Sequence, residues 1–233
     1  MKRKIIAYIP ARIEPNGKIL KNLQGKPLLA HTIEAAITSK IFDKIVLSSN
    51  DKKILRLAKK YVRKIVTDSR PDFLTTPQAT PINSLLEYVH RQSVSAFSSL
   101  ALLLPTSPLR SPLSLVEGAK LLTPEIDAVI SVSRYLFPLR MAMTVNLEGK
   151  IKPFFKNSPL VSGGTIDDQA SCYYPNGGFF YSWRSSFSRY ANFYKGKVLP
   201  FQSPEPEGWM INNDLDIKVA ESLAKIYERK AHR

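Results

Sequence analysis

The chain has 233 residues, 44% of them apolar and 10% aromatic, enough to bury a core and too many for a disordered segment. Lysine and arginine number 34 against 19 aspartates and glutamates, and the net charge of +15 points to an anionic partner: nucleic acid, an anionic membrane surface, or a phosphorylated or carboxylated small molecule. A single cysteine, Cys172, excludes an internal disulfide and the paired spacings of a zinc site, and no stretch approaches the roughly 18 apolar residues of a membrane span.

The basic start runs into about five apolar residues before Pro10, too few for the core of a signal peptide. A cytoplasmic protein without membrane insertion is expected. Residues 5–9 read as a buried strand. After a loop to Lys26, Leu28, Leu29, Thr32, Ile33, Ala36 and Ile37 recur at helical spacing. Residues 44–49 form the next strand. Asp51 is placed to cap a helix that turns Ile54, Leu55, Ala58 and Tyr61 inward, and 64–66 is a brief third strand. A proline-rich loop leads to a helix over 80–92, a strand over 100–104, a helix over 112–122 and a strand over 128–132.

Beyond residue 133 the pattern changes. Met143, Val145 and Leu147 alternate, Glu148-Gly149 turns, and 151–155 returns as a hairpin. Residues 157–174 are polar and poorly periodic, 177–182 is strand-like, and Asp214 opens a last helix with Ile217, Ala220, Leu223, Ala224 and Tyr227 on one face. Alternating strands and helices imply an α/β fold: a mostly parallel sheet covered on both faces, with functional loops at the carboxyl ends of the strands. One domain over 1–233, with an excursion at about 140–175, is expected. The loops so singled out are 10–26, 48–51, 70–80 and 105–111.

The first loop carries Arg12, Lys18, Lys21 and Lys26 with two glycines, a composition suited to a polyphosphate as well as to an ordinary basic surface. It has neither Walker A nor dinucleotide glycine spacing. Its order Pro10-Ala11-Arg12, then Lys21-Asn22, resembles the signature of the acylneuraminate cytidylyltransferases, the CMP-sialic acid synthetases and their relatives for pseudaminic and legionaminic acids. The likeness continues in Gly25-Lys26-Pro27-Leu28, Ser48-Ser49-Asn50-Asp51, Arg70-Pro71, Thr80, Leu103-Leu104-Pro105-Thr106-Ser107-Pro108-Leu109-Arg110, Pro175-Asn176-Gly177-Gly178 and the segment from Asn213 to Glu221.

The resemblance implies a three-layer, Rossmann-like nucleotide-diphospho-sugar transferase fold. It also implies a nucleotidyltransferase that moves CMP from CTP to a sialic-acid-like 2-keto sugar acid for surface glycan (lipopolysaccharide or capsule) synthesis, with Mg²⁺, as a homodimer joined through the excursion. In that scheme Arg12 and Lys21 hold the triphosphate and serve catalysis, Ala11, Asn22, Arg70 and Thr80 bind the nucleotide, and Pro105, Thr106, Ser107, Arg110, Asn176 and Gly177 face the sugar. The family's small, lysine-bearing turn is replaced here by Ile13-Glu14-Pro15-Asn16, and the glutamine before Pro-Thr-Ser-Pro is Leu104. The family's metal-holding Asp-Ile-Asp falls on Met210-Ile211-Asn212, leaving Asp214 and Asp216 as substitute metal candidates or as first-turn helix acids. A catalytically degenerate, nucleotide-binding relative is the alternative that these losses motivate.

Other residues carry blander readings. His31 and His90 read as structural histidines. The aromatic stretch from Tyr173 to Tyr194 is expected in the core and at a subunit interface, and without a nucleic-acid fold signature no specific nucleic-acid partner is expected.

Overall fold

A computed structural model of the chain describes residues 3–12, 17–61, 64–76, 78–92, 96–163 and 171–231. The Ile13-Glu14-Pro15-Asn16 segment lies outside the described residues, as do 164–170 of the polar stretch. In chain order the elements are β1 (Ile5–Pro10), β2 (Asn22–Leu23), β3 (Lys26–Pro27), α1 (Leu28–Ser39), β4 (Lys44–Ser49), α2 (Lys52–Ala58), β5 (Val66–Ser69), α3 (Pro81–Arg91), β6 (Ser99–Leu102) and α4 (Pro112–Lys120). Then come β7 (Ala128–Arg134), β8 (Met143–Val145), β9 (Ile151–Pro153), α5 (Pro159–Ser162), β10 (Tyr173–Trp183), α6 (Arg184–Tyr190), β11 (Val198–Gln202) and α7 (Asp214–Ala231).

Seven strands form one sheet in the order β11-β7-β10-β6-β1-β4-β5, all parallel except β10, which runs antiparallel to both neighbours. Successive side chains of a strand point to opposite faces, and here both faces are covered. On β1, Ile5, Ala7 and Ile9 enter a core shared with Leu29 and Ile33 of α1, Ile54 of α2 and Leu115 of α4. Ile6 and Tyr8 enter the opposite core with Leu85 and Tyr88 of α3 and Phe187 of α6. The result is the expected helix–sheet–helix sandwich. Burial of the two faces explains why the central strands read as unbroken apolar runs rather than alternating ones.

Local signals set the boundaries. The Asp51 carboxylate accepts from the amides of Lys53 (2.6 Å) and Ile54 (3.1 Å), capping α2 as its position suggests. Asp51→Ala should cost about 1 kcal/mol, read as a lower denaturant midpoint at unchanged slope. Thr80 and Ser111 cap α3 and α4 in the same way, each followed by proline at the first helical position.

Three readings need correction. The third strand is Val66–Ser69, two residues later than its apolar residues suggested, because this edge strand buries Asp68 rather than an aliphatic side chain. The polar stretch expected as loop to Tyr174 gives way two residues earlier to β10, which starts at Tyr173 rather than Gly177 and whose pairing with β7 slips between Pro175 and Phe180; the bulged Pro-Asn-Gly-Gly run reads locally as a turn. β11 and α6 were not anticipated. Pro200 is admitted to β11 because that strand lies at the sheet edge. The aromatic run lies largely inside: Phe179, Phe180, Tyr181, Phe187 and Phe193 are all buried. The expected hairpin forms as an antiparallel β8–β9 pair outside the main sheet.

Candidate nucleotide site

Parallel strands that share one direction deliver their following loops to one edge. At that edge the ends of β1, β5 and β6 and the start of α3 enclose a cavity of ≈ 270 Å³. Its lining is Pro10, Arg12, Ile19, Arg70, Ala79, Pro81, Leu104, Pro105 and Thr106. The walls are mostly apolar, both charged members are cations, and no acid lines the space.

Each cation is held by neutral groups. After β1 the chain stays in register, the Ala11 amide donating to the Ser48 carbonyl at 2.9 Å. Arg12 then reaches across to the Thr76 carbonyl at 2.6 Å. Arg70 follows β5 and is 6% exposed. Its Nη2 donates to the Ser48 carbonyl at 2.9 Å, and its Nε lies 3.4 Å from Ser48 Oγ. Burial pushes the pKa of Arg70 below the ordinary guanidinium range and Arg12 pushes it further down, while the nearby Tyr8 hydroxyl and the Asp68 carboxylate pull it back. Two guanidiniums thus repel across one dry-walled space, which an anion between them would relieve.

Sequence reading did not single out the groups behind Arg70. Asp68 Oδ2 accepts from Ser48 Oγ at 2.7 Å, and Arg91 closes on Asp68 Oδ1 at 2.8 Å and on Glu87 Oε1 at 2.6 Å. The Tyr8 hydroxyl meets Ser84 Oγ at 2.5 Å. A buried aspartate in a polar edge strand is the one sequence signal that could have found this network.

The other anticipated residues sort by position. Ala11 is fully buried behind the cavity wall. Thr80 spends its hydroxyl on Asn83, as the α3 cap, at the helix start that faces the cavity. Gln24 and Gly25, with φ of 48° and 77°, close a tight β2–β3 turn that sets out Asn22. Lys21 is not part of the cavity lining, and its ammonium is paired with Asp214 at the start of α7.

Ser107, Arg110 and Asn176 do not present their side chains to a sugar: they are 0%, 4% and 0% exposed. Burial pushes the Arg110 guanidinium down to about 9, with Tyr181 and Glu207 acting against the shift. Its donors go to the carbonyls of Ser107, Gly178 and Leu104 and to Thr32 Oγ1. Gly177 (φ +72°) is buried beside them, and an added Cβ there would stand 2.8 Å from Ser107 Oγ. These residues shape the 105–110 turn from below, while Pro105 and Thr106 line the cavity itself.

Residues 6–71 match the family model described as Cytidylyltransferase. The chain is 31% identical over 156 residues to the CMP-N,N'-diacetyllegionaminic acid synthase of Legionella pneumophila, an overlap covering 64% of this chain and 67% of that one. This chain is an acylneuraminate cytidylyltransferase family member. Two further members are the N-acylneuraminate cytidylyltransferase of Escherichia coli, 28% identical over 99% of this chain, and the pseudaminic acid cytidylyltransferase of Campylobacter jejuni, 24% identical over 98% of this chain. The chain spans 54% of the Escherichia coli relative's length and 99% of the Campylobacter one. Its fold matches that of a CMP:2-keto-3-deoxy-manno-octonic acid synthetase complexed with CTP, with a TM-score of 0.66 over 96% of this chain and 99% of that one at 13% identity.

The acylneuraminate cytidylyltransferase resemblance brings with it a magnesium centre, and the residues here do not fit it. In the register that the resemblance implies, the two carboxylates fall on Met210 and Asn212, and a thioether offers Mg²⁺ no ligand. Asp216 Oδ2 is committed to the amides of Asn212 (2.7 Å) and Asn213 (3.0 Å), while Asn213 Oδ1 accepts from the Asp216 amide at 3.1 Å. That reciprocal cap gives Asp216 a structural task. Asp214, the other substitute, is taken by Lys21. Among the described residues no three His, Cys, Asp or Glu side chains cluster as a metal site.

Proposed function

We propose that this protein transfers CMP from CTP to a sialic-acid-like 2-keto sugar acid. The observation that carries the reading is the cavity in which Arg12 and Arg70 converge without a carboxylate among the lining residues. A nucleotide suits such a space, its phosphates meeting the guanidiniums and its base the apolar wall of Ile19, Pro81 and Leu104. In the transfer, an oxygen of the sugar's anomeric hydroxyl bonds to the α-phosphorus, the bond to the β-phosphate breaks, and pyrophosphate leaves with the electron pair as the hydroxyl proton is lost. Such chemistry depends on positioning and on cations placed where charge develops. Arg12 and Arg70 supply that charge, and Lys21 adds to it on release from Asp214. No step is assigned to a metal. Calorimetric titration should show one site that prefers CTP to ATP, GTP and UTP; no saturable CTP binding would overturn the reading.

We also propose that a second copy of the chain covers the excursion. A two-stranded hairpin is not stable by itself, and this one exposes Val145, Leu147, Ile151 and Phe154 beside Leu136 and Phe137, which are 86% and 81% exposed. Phe154→Asp should shift a sedimenting dimer to monomer, whereas an unchanged sedimentation coefficient would place the contact elsewhere. A cytoplasmic setting is proposed with this reading. Among the described residues no helix is long and apolar enough to cross a membrane.

A further inference from the structure

The run from Lys52 to Val66 holds seven lysines and arginines and no acid, and nothing above gives it a task. Its surface is one-sided. Ile54 and Ala58 of α2, and Ile65 after it, are buried, while Lys52, Lys53, Arg56, Lys59, Lys60 and Lys64 are exposed. Lys52, Lys53 and Arg56, three or four positions apart, share the outer face of α2, and the 3₁₀ turn Lys59–Tyr61 carries the row onward. Among the described residues none of the six cations is in an ion pair, although Lys21, Lys26, Arg91, Lys120 and Lys150 each meet an acid. The acids that flank the run are committed elsewhere: Asp51 to the amides of Lys53 and Ile54, and Asp68 to Ser48 and Arg91. Like charges spaced in this way repel, and a surface of opposite sign relieves them.

The row is separate from the surfaces already described. Arg12 and Arg70, the cations of the nucleotide cavity, are not part of it. The helix α2 joins β4 to β5 at one end of the sheet order, whereas the β8–β9 hairpin follows β7, next to the other end. The face offered to a second copy is thus a different one. The chemistry of the row also narrows its partner. Five of the six exposed cations are lysines, compact charges on flexible stems, which suit the diffuse charge of a lipid surface without a fixed partner geometry. Single-stranded nucleic acid asks for ring faces as well, and the ring in this row, Tyr61, is half-buried with its hydroxyl donating to Glu34 Oε1 at 2.8 Å. With 7 residues, α2 is also short for a helix that reads a groove.

We propose that this row docks the protein on the anionic headgroups of a lipid bilayer, holding it to the cytoplasmic leaflet by charge and without insertion. Sedimentation with sucrose-loaded vesicles tests this, with phosphatidylcholine alone and with equal parts of phosphatidylcholine and phosphatidylglycerol, at rising salt. Compared are the unaltered chain, the triple variant Lys53→Gln/Arg56→Gln/Lys60→Gln, and a variant with the same charge change on other exposed residues, Lys195→Gln/Lys197→Gln/Lys218→Gln. Expected is binding to the mixed vesicles alone, weakening as salt rises, with an affinity about a hundredfold lower in the α2 variant and changed far less in the other. All the replaced side chains are exposed, and the lipid and salt dependence of the unaltered chain tests the proposal even if a variant fails to fold. Binding to neither kind of vesicle, or an equal loss in the two triple variants, would overturn it. Tighter binding to a single-stranded RNA than to the mixed vesicles at the same salt, lost in the α2 variant, would overturn it in favour of a nucleic-acid partner.

Discussion

Replacing Arg70 by methionine is expected to weaken CTP binding by about a hundredfold, close to 3 kcal/mol, while leaving the stability of the ligand-free protein nearly unchanged. The two halves of this result have one cause. Arg70 is buried, its guanidinium is held by the Ser48 carbonyl and hydroxyl rather than by a carboxylate, and Arg12 stands close enough to lower its pKa. Removing a water shell from a cation without a direct anionic partner costs free energy that neutral acceptors return only in part. In the ligand-free protein the desolvation cost of the charge roughly offsets its bonds to Ser48 and the attraction of Asp68, so methionine of similar length changes stability little. In the complex the same charge faces phosphate in a low-dielectric setting, where a charge-assisted bond is worth most. The measurement is a CTP titration beside thermal unfolding without ligand. Unchanged affinity in a folded variant would mean that the cavity does not hold the nucleotide's phosphates.

Asn176→Ala is expected to act in the opposite sense, lowering stability by about 3 kcal/mol or more and the melting temperature by roughly 6–12 °C, while the folded protein still binds CTP. Asn176 has no exposed surface and makes four side-chain hydrogen bonds, to Ser131, Ser133, Ser203 and the Gly178 amide. Alanine leaves these partners unsatisfied and opens a cavity among β7, β10 and the loop after β11. The bond that reaches the nucleotide side, from Ser107 to the Asn176 carbonyl, is to backbone and survives. Differential scanning calorimetry and a titration below the melting point separate the effects. A variant as stable as the parent would show that the network is not holding the strands.

The contrast between these residues shows what the sequence reveals and what it leaves out. Apolar runs and caps locate the central strands and most helices, because burial on both sheet faces and an N-cap acid such as Asp51 leave local marks. β11 and α6 leave weak ones: an edge strand that tolerates Pro200, and a helix begun within an aromatic run. Arg12, Arg70, Pro105 and Thr106, split by the resemblance between nucleotide and sugar, line one cavity, since loops after parallel strands must meet at one edge. Spacing does not say which way a side chain points. Arg110 and Asn176 sit in the expected segments yet turn inward, and the partners that fix them come from β7, α1 and the 203–209 loop, far away in sequence. Asp214 and Asp216 look like a metal pair in the sequence. In the structure they are an ion-pair partner and a helix cap.

The central claim is cytidylyl transfer, and the most direct measurement is pyrophosphate release from CTP in the presence of N-acetylneuraminic, legionaminic, pseudaminic or 3-deoxy-octulosonic acid. The account predicts release that requires both CTP and one of these acids, with the matching CMP-sugar formed in equal amount. Saturable CTP binding with no release across the panel, with Mg²⁺ or Mn²⁺ supplied, would contradict it and leave a nucleotide-binding protein that does not turn over.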